Sequence, residues 1–253
     1  MKNIAIKKNE LNIKGRIYGD TASKKPVFIL CHGFMANQGM YTSYAKMIAE
    51  LGFIVVTFDF CGGGLFSISD GKSEDMTILT EKEDLLYVVN YLKNEKYTEN
   101  ISLIGFSQGG LVSLITAKDI IDDLKTLILI NPIVSLPDDA RNGQVYYYKY
   151  NPSNIPHILG SSPIKLSGEF AKTLMDIDIY SIIKDIPVQT LYIQGTKDKI
   201  VNLETARNIK DLFINIKYKE LEGGTHMLKG FQDRLALEQV SNFIKQVYIK
   251  KVH

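Results

Sequence analysis

Tryptophan is absent from this chain of 253 residues, cysteine occurs twice, histidine four times and proline seven times, and no apolar run is long enough to cross a bilayer. Each shortage excludes something. Two cysteines, Cys31 and Cys61, cannot build a disulfide framework and lack zinc-site spacing, so both are expected to be free structural thiols. The histidines lack ligand spacing too, and neither a metal nor a cofactor is expected. Lys and Arg total 30 against 28 Asp and Glu, a formal net charge of +2, which points to no polyanionic partner. No basic run carries interleaved aromatics, so nucleic acid is not expected as a partner, and Lys7-Lys8, Lys24-Lys25 and Lys250-Lys251 read as solvated termini and loops. Met1 to Glu10 lacks the continuous apolar region of a secretion signal. The expectation is therefore a cytoplasmic protein with no membrane partner.

What the chain does have is a globular composition, with 45% hydrophobic and 23% charged residues, and length enough to bury a substantial core. Asn3–Lys7 and Leu11–Tyr18 alternate apolar and polar residues around Lys8-Asn9-Glu10, the pattern of an antiparallel hairpin at a sheet edge. Solid apolar runs follow at Val27–Cys31, Ile54–Asp59, Ile101–Phe106, Leu127–Ile130 and Val188–Ile193, as expected of strands buried on both faces. Between them, Tyr44, Met47, Ile48 and Leu51 fall at helical spacing before Gly52. Thr80-Glu81-Lys82-Glu83 resembles a capping box opening a helix with Leu85, Val88, Val89 and Leu92 on its inner face. A helix over 202–213, a strand over Ile216–Leu221 and an amphipathic helix carrying Ala236, Val240, Phe243, Ile244 and Val247 complete the beat. Repeated βα units imply a mostly parallel sheet with helices on both faces.

The central strand ends in Gly105-Phe106-Ser107-Gln108-Gly109 and runs on into the apolar stretch Leu111–Ile115. Glycines two residues either side of a serine permit a turn so tight that strand and helix backbones meet with no room for a Cβ, lifting the hydroxyl clear of the sheet. Short patterns of this kind recur by chance, so partners must be sought where ligands gather in such sheets, beyond the carboxyl ends of the strands. Those positions hold His32-Gly33-Phe34, Ser107, Asp198 and His226. A serine hydroxyl needs a base to take its proton, and the base needs a carboxylate to fix its tautomer. Ser107, Asp198 and His226 occur in the chain order that this elbow predicts. Asp176, Asp178 and Asp185 are rivals of Asp198, but only Asp198 closely follows a central strand. His253 is the last residue, His157 lies in irregular sequence, and His32 sits beside a glycine, which suits loop shaping better than proton transfer. The elbow is expected to place the backbone N–H of Gln108 at the developing oxyanion, and the loop after Cys31 to offer a second N–H, that of Phe34.

From Ile133 to Asp185 the βα beat is lost. Prolines 137, 152, 156 and 163 lie among Tyr146-Tyr147-Tyr148-Lys149-Tyr150, with a short helical pattern near Phe170–Met175. So long an interruption within one domain reads as a functional insertion, and the organisation expected is one domain over 1–253 with a cap over 133–185. The tyrosines offer flat apolar surface with hydroxyl tips, suited either to an aromatic or unsaturated acyl group or to packing the cap onto the core.

With His32-Gly33-Phe34, Gly105-Phe106-Ser107-Gln108-Gly109, Gly195-Thr196-Lys197-Asp198 and Gly223-Gly224-Thr225-His226 as landmarks, the chain resembles an α/β-hydrolase throughout. More narrowly it resembles the bacterial cinnamoyl or feruloyl esterases, through Phe58-Asp59-Phe60, Ser69-Asp70-Gly71, Asn131-Pro132, Asp138-Asp139-Ala140 and Tyr150–Pro156. The resemblance implies an α/β-hydrolase sheet of about eight strands, a small cap after the sixth, and a cap aspartate binding the ring hydroxyl of a hydroxycinnamoyl group. By motif position that residue is Asp139, with Tyr146 nearby. The chain departs from the family in having Cys61 and Gly63 where an arginine and a histidine are usual.

The function expected is a serine carboxylesterase acting on small esters, hydroxycinnamoyl esters foremost, through an acyl-enzyme. A monoacylglycerol lipase or lysophospholipase, a non-catalytic ligand-binding protein of the same fold and a cofactor-free haloperoxidase are the alternatives. Homodimerisation stays open.

Overall fold

The first hairpin forms as its alternation dictates: β1 (Lys2–Lys8) pairs antiparallel with β2 (Leu11–Tyr18), and Ile4, Ile6 and Ile13 turn inward. The computed structural model describes residues 1–161 and 164–249; Pro163, Lys250, Lys251 and His253 lie outside them. Along the chain follow β3 (Lys25–Cys31), α1 (Thr42–Glu50), β4 (Ile54–Phe58), α2 (Ile78–Lys93), β5 (Thr98–Phe106), α3 (Gln108–Ala117) and β6 (Leu124–Ile130). After a long excursion come β11 (Gln189–Gly195), α7 (Leu203–Lys210), β12 (Ile216–Leu221) and α8 (Phe231–Tyr248). The excursion itself holds α4 (Leu136–Arg141), β7 (Gln144–Val145), β8 (Tyr148–Lys149), β9 (Ile158–Ser161), β10 (Ile164–Ser167), α5 (Gly168–Met175) and α6 (Ile179–Lys184).

Eight strands make one sheet in the order β1-β2-β4-β3-β5-β6-β11-β12. From β4 to β12 all neighbours are parallel, and β2 joins β4 antiparallel. Burial on both faces explains the uninterrupted apolar runs: every residue of β4 is buried, as are the last five of β3 and the last six of β5. One face is covered by α1 and α8 through Tyr44, Ile48, Val240 and Phe243. The other packs α2, α3 and α7 through Val88, Leu114 and Ile209, and continues into Leu136, Phe170 and Ile183 of the excursion.

Four expectations need correcting. The hairpin is not wholly at the edge, since β2 lies inside the sheet between β1 and β4. Lys8 is not solvated: 5% exposed, its ammonium meets Asp84 at 2.6 Å and Glu83 at 2.9 Å, tying β1 to α2. The cap of α2 is Thr77, three residues before the sequence pattern. Thr77 Oγ1 accepts from Thr80 N–H at 3.1 Å and Thr80 Oγ1 accepts from Thr77 N–H at 2.8 Å, so a threonine hydroxyl does what a glutamate does in the usual box. The excursion after β6 is also more regular than its prolines suggest, with two short hairpins, β7–β8 and β9–β10, between helices.

Candidate active site

Ser107 stands between β5 and α3 with φ 53° and ψ −119°, a conformation that costs a non-glycine residue about 1–3 kcal/mol and persists only where surroundings enforce it. They do so here. Its N–H donates to Ile130 O at 3.0 Å, and its carbonyl accepts from Gly110 and Ile133 N–H at 3.0 and 3.1 Å, locking the turn to β6 and to the first turn of α3. A Cβ on Gly105 would lie 2.5 Å from Gly110 Cα, and one on Gly33 would lie 2.9 Å from Ser107 Cβ. Glycine at these positions lets the turn close and lets the loop after β3 pass over the serine.

The three residues singled out by chain order meet at the carboxyl edge. Ser107 Oγ is 2.7 Å from His226 Nε2, and His226 Nδ1 is 2.9 Å from Asp198 Oδ2. With Nδ1–H donating to the carboxylate, Nε2 is left to accept the serine proton. Asp198 is held by more than the histidine: Oδ1 accepts from the N–H groups of Ile200 and Val201 at 2.8 and 3.0 Å, and Oδ2 accepts from Gln194 Nε2 at 3.1 Å. Its side chain has no exposed surface, whereas the histidine's is 15% exposed. Asp176, Asp178 and Asp185 fall around α5 and α6, and Asp185 pairs with Lys118 at 2.7 Å.

His32 takes the loop-shaping part. Buried, it donates from Nδ1 to Gly33 O at 2.9 Å and accepts at Nε2 from Phe60 N–H at 3.0 Å. Burial lowers its basicity and outweighs the Gly33 contact and the nearby Asp59 charge. The neutral ring thereby joins the loop after β3 to the loop after β4. Phe34 N–H and Gln108 N–H have no partner among the described residues. Two uncommitted backbone donors thus stand in the segments flanking the serine, as an oxyanion site requires.

Asn131 was visible in the sequence only as part of a family resemblance, and its work is now specific. At φ 45°, it accepts at Oδ1 from Gly195 N–H at 2.8 Å and donates from Nδ2 to the carbonyls of Thr225 and His226 at 3.1 and 2.8 Å. One amide thereby clips together the ends of β6 and β11 and the loop carrying His226. An Asn-Pro pair at a strand end is the only signal of this, and it does not say which backbone groups the amide will meet.

Gln108 contributes a side chain as well. Fully buried, its Nε2 donates to Glu81 Oε2 at 2.6 Å, and its Oε1 accepts from Tyr146 OH. Glu81 is 1% exposed; burial drives its carboxyl well above the ordinary range, opposed by the Gln108 contact and reinforced by the Asp84 charge. Tyr146 stacks on Phe34 with ring centroids 4.3 Å apart. Of the two residues expected to bind substrate, Tyr146 therefore lies against Phe34 in the loop after β3 with its hydroxyl engaged. Asp139, in α4, is half-buried and accepts from Ser135 Oγ at 2.9 Å. Burial raises its carboxyl, against the Ser135 contact and with the Asp138 charge.

Beside Ser107 opens a cavity of about 130 Å³, lined by Met40, Tyr41, Phe106, His226, Met227 and Asp233 among others. Neither Asp139 nor Tyr146 borders it. Sequence reasoning missed this wall, because Tyr41, Tyr44 and Asp233 sit on helices whose spacing reads as ordinary core and surface.

The profile of the family described as serine aminopeptidase, S33, matches residues 22–165, more than half of the chain. The chain belongs to this hydrolase family. Its fold is that of an α/β-hydrolase: the structure of Est1E from Butyrivibrio proteoclasticus with ferulic acid bound superposes with a TM-score of 0.92 at 26% identity, covering 98% of this chain and all of that one. Among curated proteins, an uncharacterized 31.7 kDa protein of Escherichia coli is 34% identical over 90 residues, which are 34% of this chain and 30% of that protein. Human monoglyceride lipase is 25% identical over 167 residues, 66% of this chain and 54% of the lipase. The match thus spans about a third and about half of these relatives' own lengths. No helix among the described residues is long and apolar enough to cross a membrane.

Proposed function

We propose that the chain is a serine carboxylesterase working through an acyl-enzyme. The observation that carries the reading is the continuous line from Asp198 through His226 to Ser107 Oγ, with bonds of 2.9 and 2.7 Å. His226 Nε2 takes the hydroxyl proton as Oγ attacks the ester carbon; the carbonyl oxygen gains the negative charge and meets the N–H groups of Phe34 and Gln108. The intermediate collapses, the C–O bond to the alcohol breaks, and the departing oxygen takes the proton from His226. Water then repeats the sequence on the acyl-enzyme, with His226 as base, and releases the acid. Asp198, bonded to Nδ1, holds the ring and stabilises the imidazolium in both halves.

Hydroxycinnamoyl esters are the favoured substrates. The likeness to a protein that binds ferulic acid supports this, as do the aromatic residues Phe34, Tyr146 and Phe170 grouped beside the oxyanion loop. In this reading Asp139 meets the ring hydroxyl, and Tyr146 forms the wall between the cap and Phe34. A monoacylglycerol esterase is the second reading, favoured by the thioethers and aliphatic groups of Met40, Met227, Ile130 and Leu228 around the cavity at Ser107. Purified protein assayed against methyl ferulate, monoacylglycerols and p-nitrophenyl esters of several chain lengths separates the two. A fluorophosphonate probe should label the wild type and fail on Ser107→Ala, and a Ser107→Ala protein with full esterase activity would end both readings.

A further inference from the structure

The cavity at Ser107 lies on one side of the nucleophile only. His226 and the next two residues, Met227 and Leu228, border it, whereas Phe34 and Gln108 do not. The side matters because the imidazole must hand its proton to the departing alcohol oxygen, so the alcohol half of an ester lies towards the histidine and away from the oxyanion donors. The space therefore belongs to the alcohol. At about 130 Å³ it is close to the ~150 Å³ known to hold one six-membered ring, and a three-carbon polyol fits.

Beyond Ser107 and His226, the polar residues of its wall are Tyr41, Tyr44 and Asp233. Met40, Phe106, Ile130 and Met227 supply apolar wall to the same cavity, and Asp233 lies in the first turn of α8. Asp233 Oδ1 accepts from the OH of buried Tyr44 at 2.9 Å, while Oδ2 has no hydrogen bond among the described residues. One oxygen is thus fixed in orientation, and the other is an uncommitted acceptor at the cavity. Tyr41 and Phe106 stack on each other at 3.8 Å instead of spreading around the space, which suits a hydroxyl donor better than a quaternary ammonium.

We infer that Asp233, oriented by Tyr44, is a specificity-determining residue that accepts a hydrogen bond from a free hydroxyl on the ester's alcohol, so that esters of neutral polyols are preferred over esters of simple alkanols. The inference rests on the esterase reading and deepens it. A hydroxyl donating to a carboxylate in such a wall confers about a ten- to hundredfold preference.

The test compares methyl butyrate, glyceryl monobutyrate and butyrylcholine, which share one acyl group, on wild type, Asp233→Asn, Asp233→Ala and Tyr44→Phe. The wild type should show a glyceryl-to-methyl ratio of kcat/KM of about ten to a hundred. The ratio should fall towards one in Asp233→Ala, be partly kept in Asp233→Asn through its amide oxygen, and be reduced in Tyr44→Phe. Because the readout is a ratio within each protein, loss of folded enzyme does not imitate the effect. A ratio near one in the wild type, a ratio unchanged by Asp233→Ala, or a preference for the choline ester overturns the inference and leaves the esterase reading standing. No turnover of any ester together with no fluorophosphonate labelling of Ser107 overturns both.

Discussion

Glu81 gives a sharp test of how the site is built on the side of Gln108. Its carboxyl is almost wholly buried and bonded to the Gln108 amide, and burial drives it well above the ordinary carboxylate range. The folded protein therefore holds a proton that the unfolded chain, titrating near the reference value of about 4.3, releases. Folded chains bind more protons than unfolded ones over that interval. The contribution of Glu81 is thus fully present below the ordinary carboxylate range and is lost as pH rises through the folded-state value. Glu81→Gln supplies a neutral carbonyl to the same Gln108 Nε2 and removes the titration. Asp84 and Lys8 are also shifted, both upward, but they remain in both proteins and cancel in the comparison. As pH rises above the ordinary carboxylate range, urea unfolding should show wild-type stability falling relative to Glu81→Gln, by no more than about 1.4 kcal/mol per pH unit, the value of one proton. Parallel curves for the two proteins would refute the burial of an uncharged carboxyl. Glu81→Leu completes the set: it strands the Gln108 amide at a cost of about 1–3 kcal/mol and should lower kcat where Glu81→Gln does not.

Three further outcomes follow from other parts of the structure. Gly33→Ala puts a methyl 2.9 Å from Ser107 Cβ and 3.4 Å from its Oγ, and displacement of the nucleophile on the order of 1 Å costs about a hundredfold in turnover. Wild-type kcat/KM in that variant would show the loop after β3 to be more yielding than its packing implies. Ser107→Gly relieves the positive φ and, net of the added backbone entropy of the unfolded chain, should gain about 1 kcal/mol in urea unfolding while losing all turnover; a loss of stability would contradict the strain. Burial pushes the Cys31 and Cys61 thiols up to about 12, so iodoacetamide at mildly alkaline pH should modify neither in the folded protein and both in urea. Labelling of the native protein would mean that these thiols are reached.

The residues that carry the proposed chemistry were legible because each follows a segment that reads as a strand, an apolar run before Ser107 and Asp198 and the polar-rich edge strand Ile216–Leu221 before His226. Ser107, Asp198 and His226 needed only the strand ends and their order. The loop-shaping part of His32 was legible too, from the glycine beside it. Contacts between elements distant in sequence were not. Lys8 looked like a surface lysine because nothing local reveals Asp84 above it, and Thr77 hid as a cap because its partner is a threonine hydroxyl. The Glu81–Gln108–Tyr146 chain and the Asn131 clip join segments separated by dozens of residues, and periodicity carries no trace of such meetings. The two small hairpins after β6 escaped for another reason. With strands of two to four residues, they are shorter than any window in which alternation can be counted.

The chain leaves the sheet at β6 and returns at β11, and these strands are immediate neighbours, joined from Gln189 opposite Thr126 to Ile193 opposite Ile130. Because the two strands run parallel, everything between departs at the edge where Ser107, Asp198 and His226 converge and crosses back to re-enter the sheet at its opposite edge. Such a segment can be exchanged without re-threading the sheet, and its upper surface is free to vary. Its underside is not, since Leu136, Phe170 and Ile183 belong to the same core as β5 and α3. Sequence change in this insert is thus confined to its outward half, while the inward half keeps an apolar imprint set by the helices and strands beneath it.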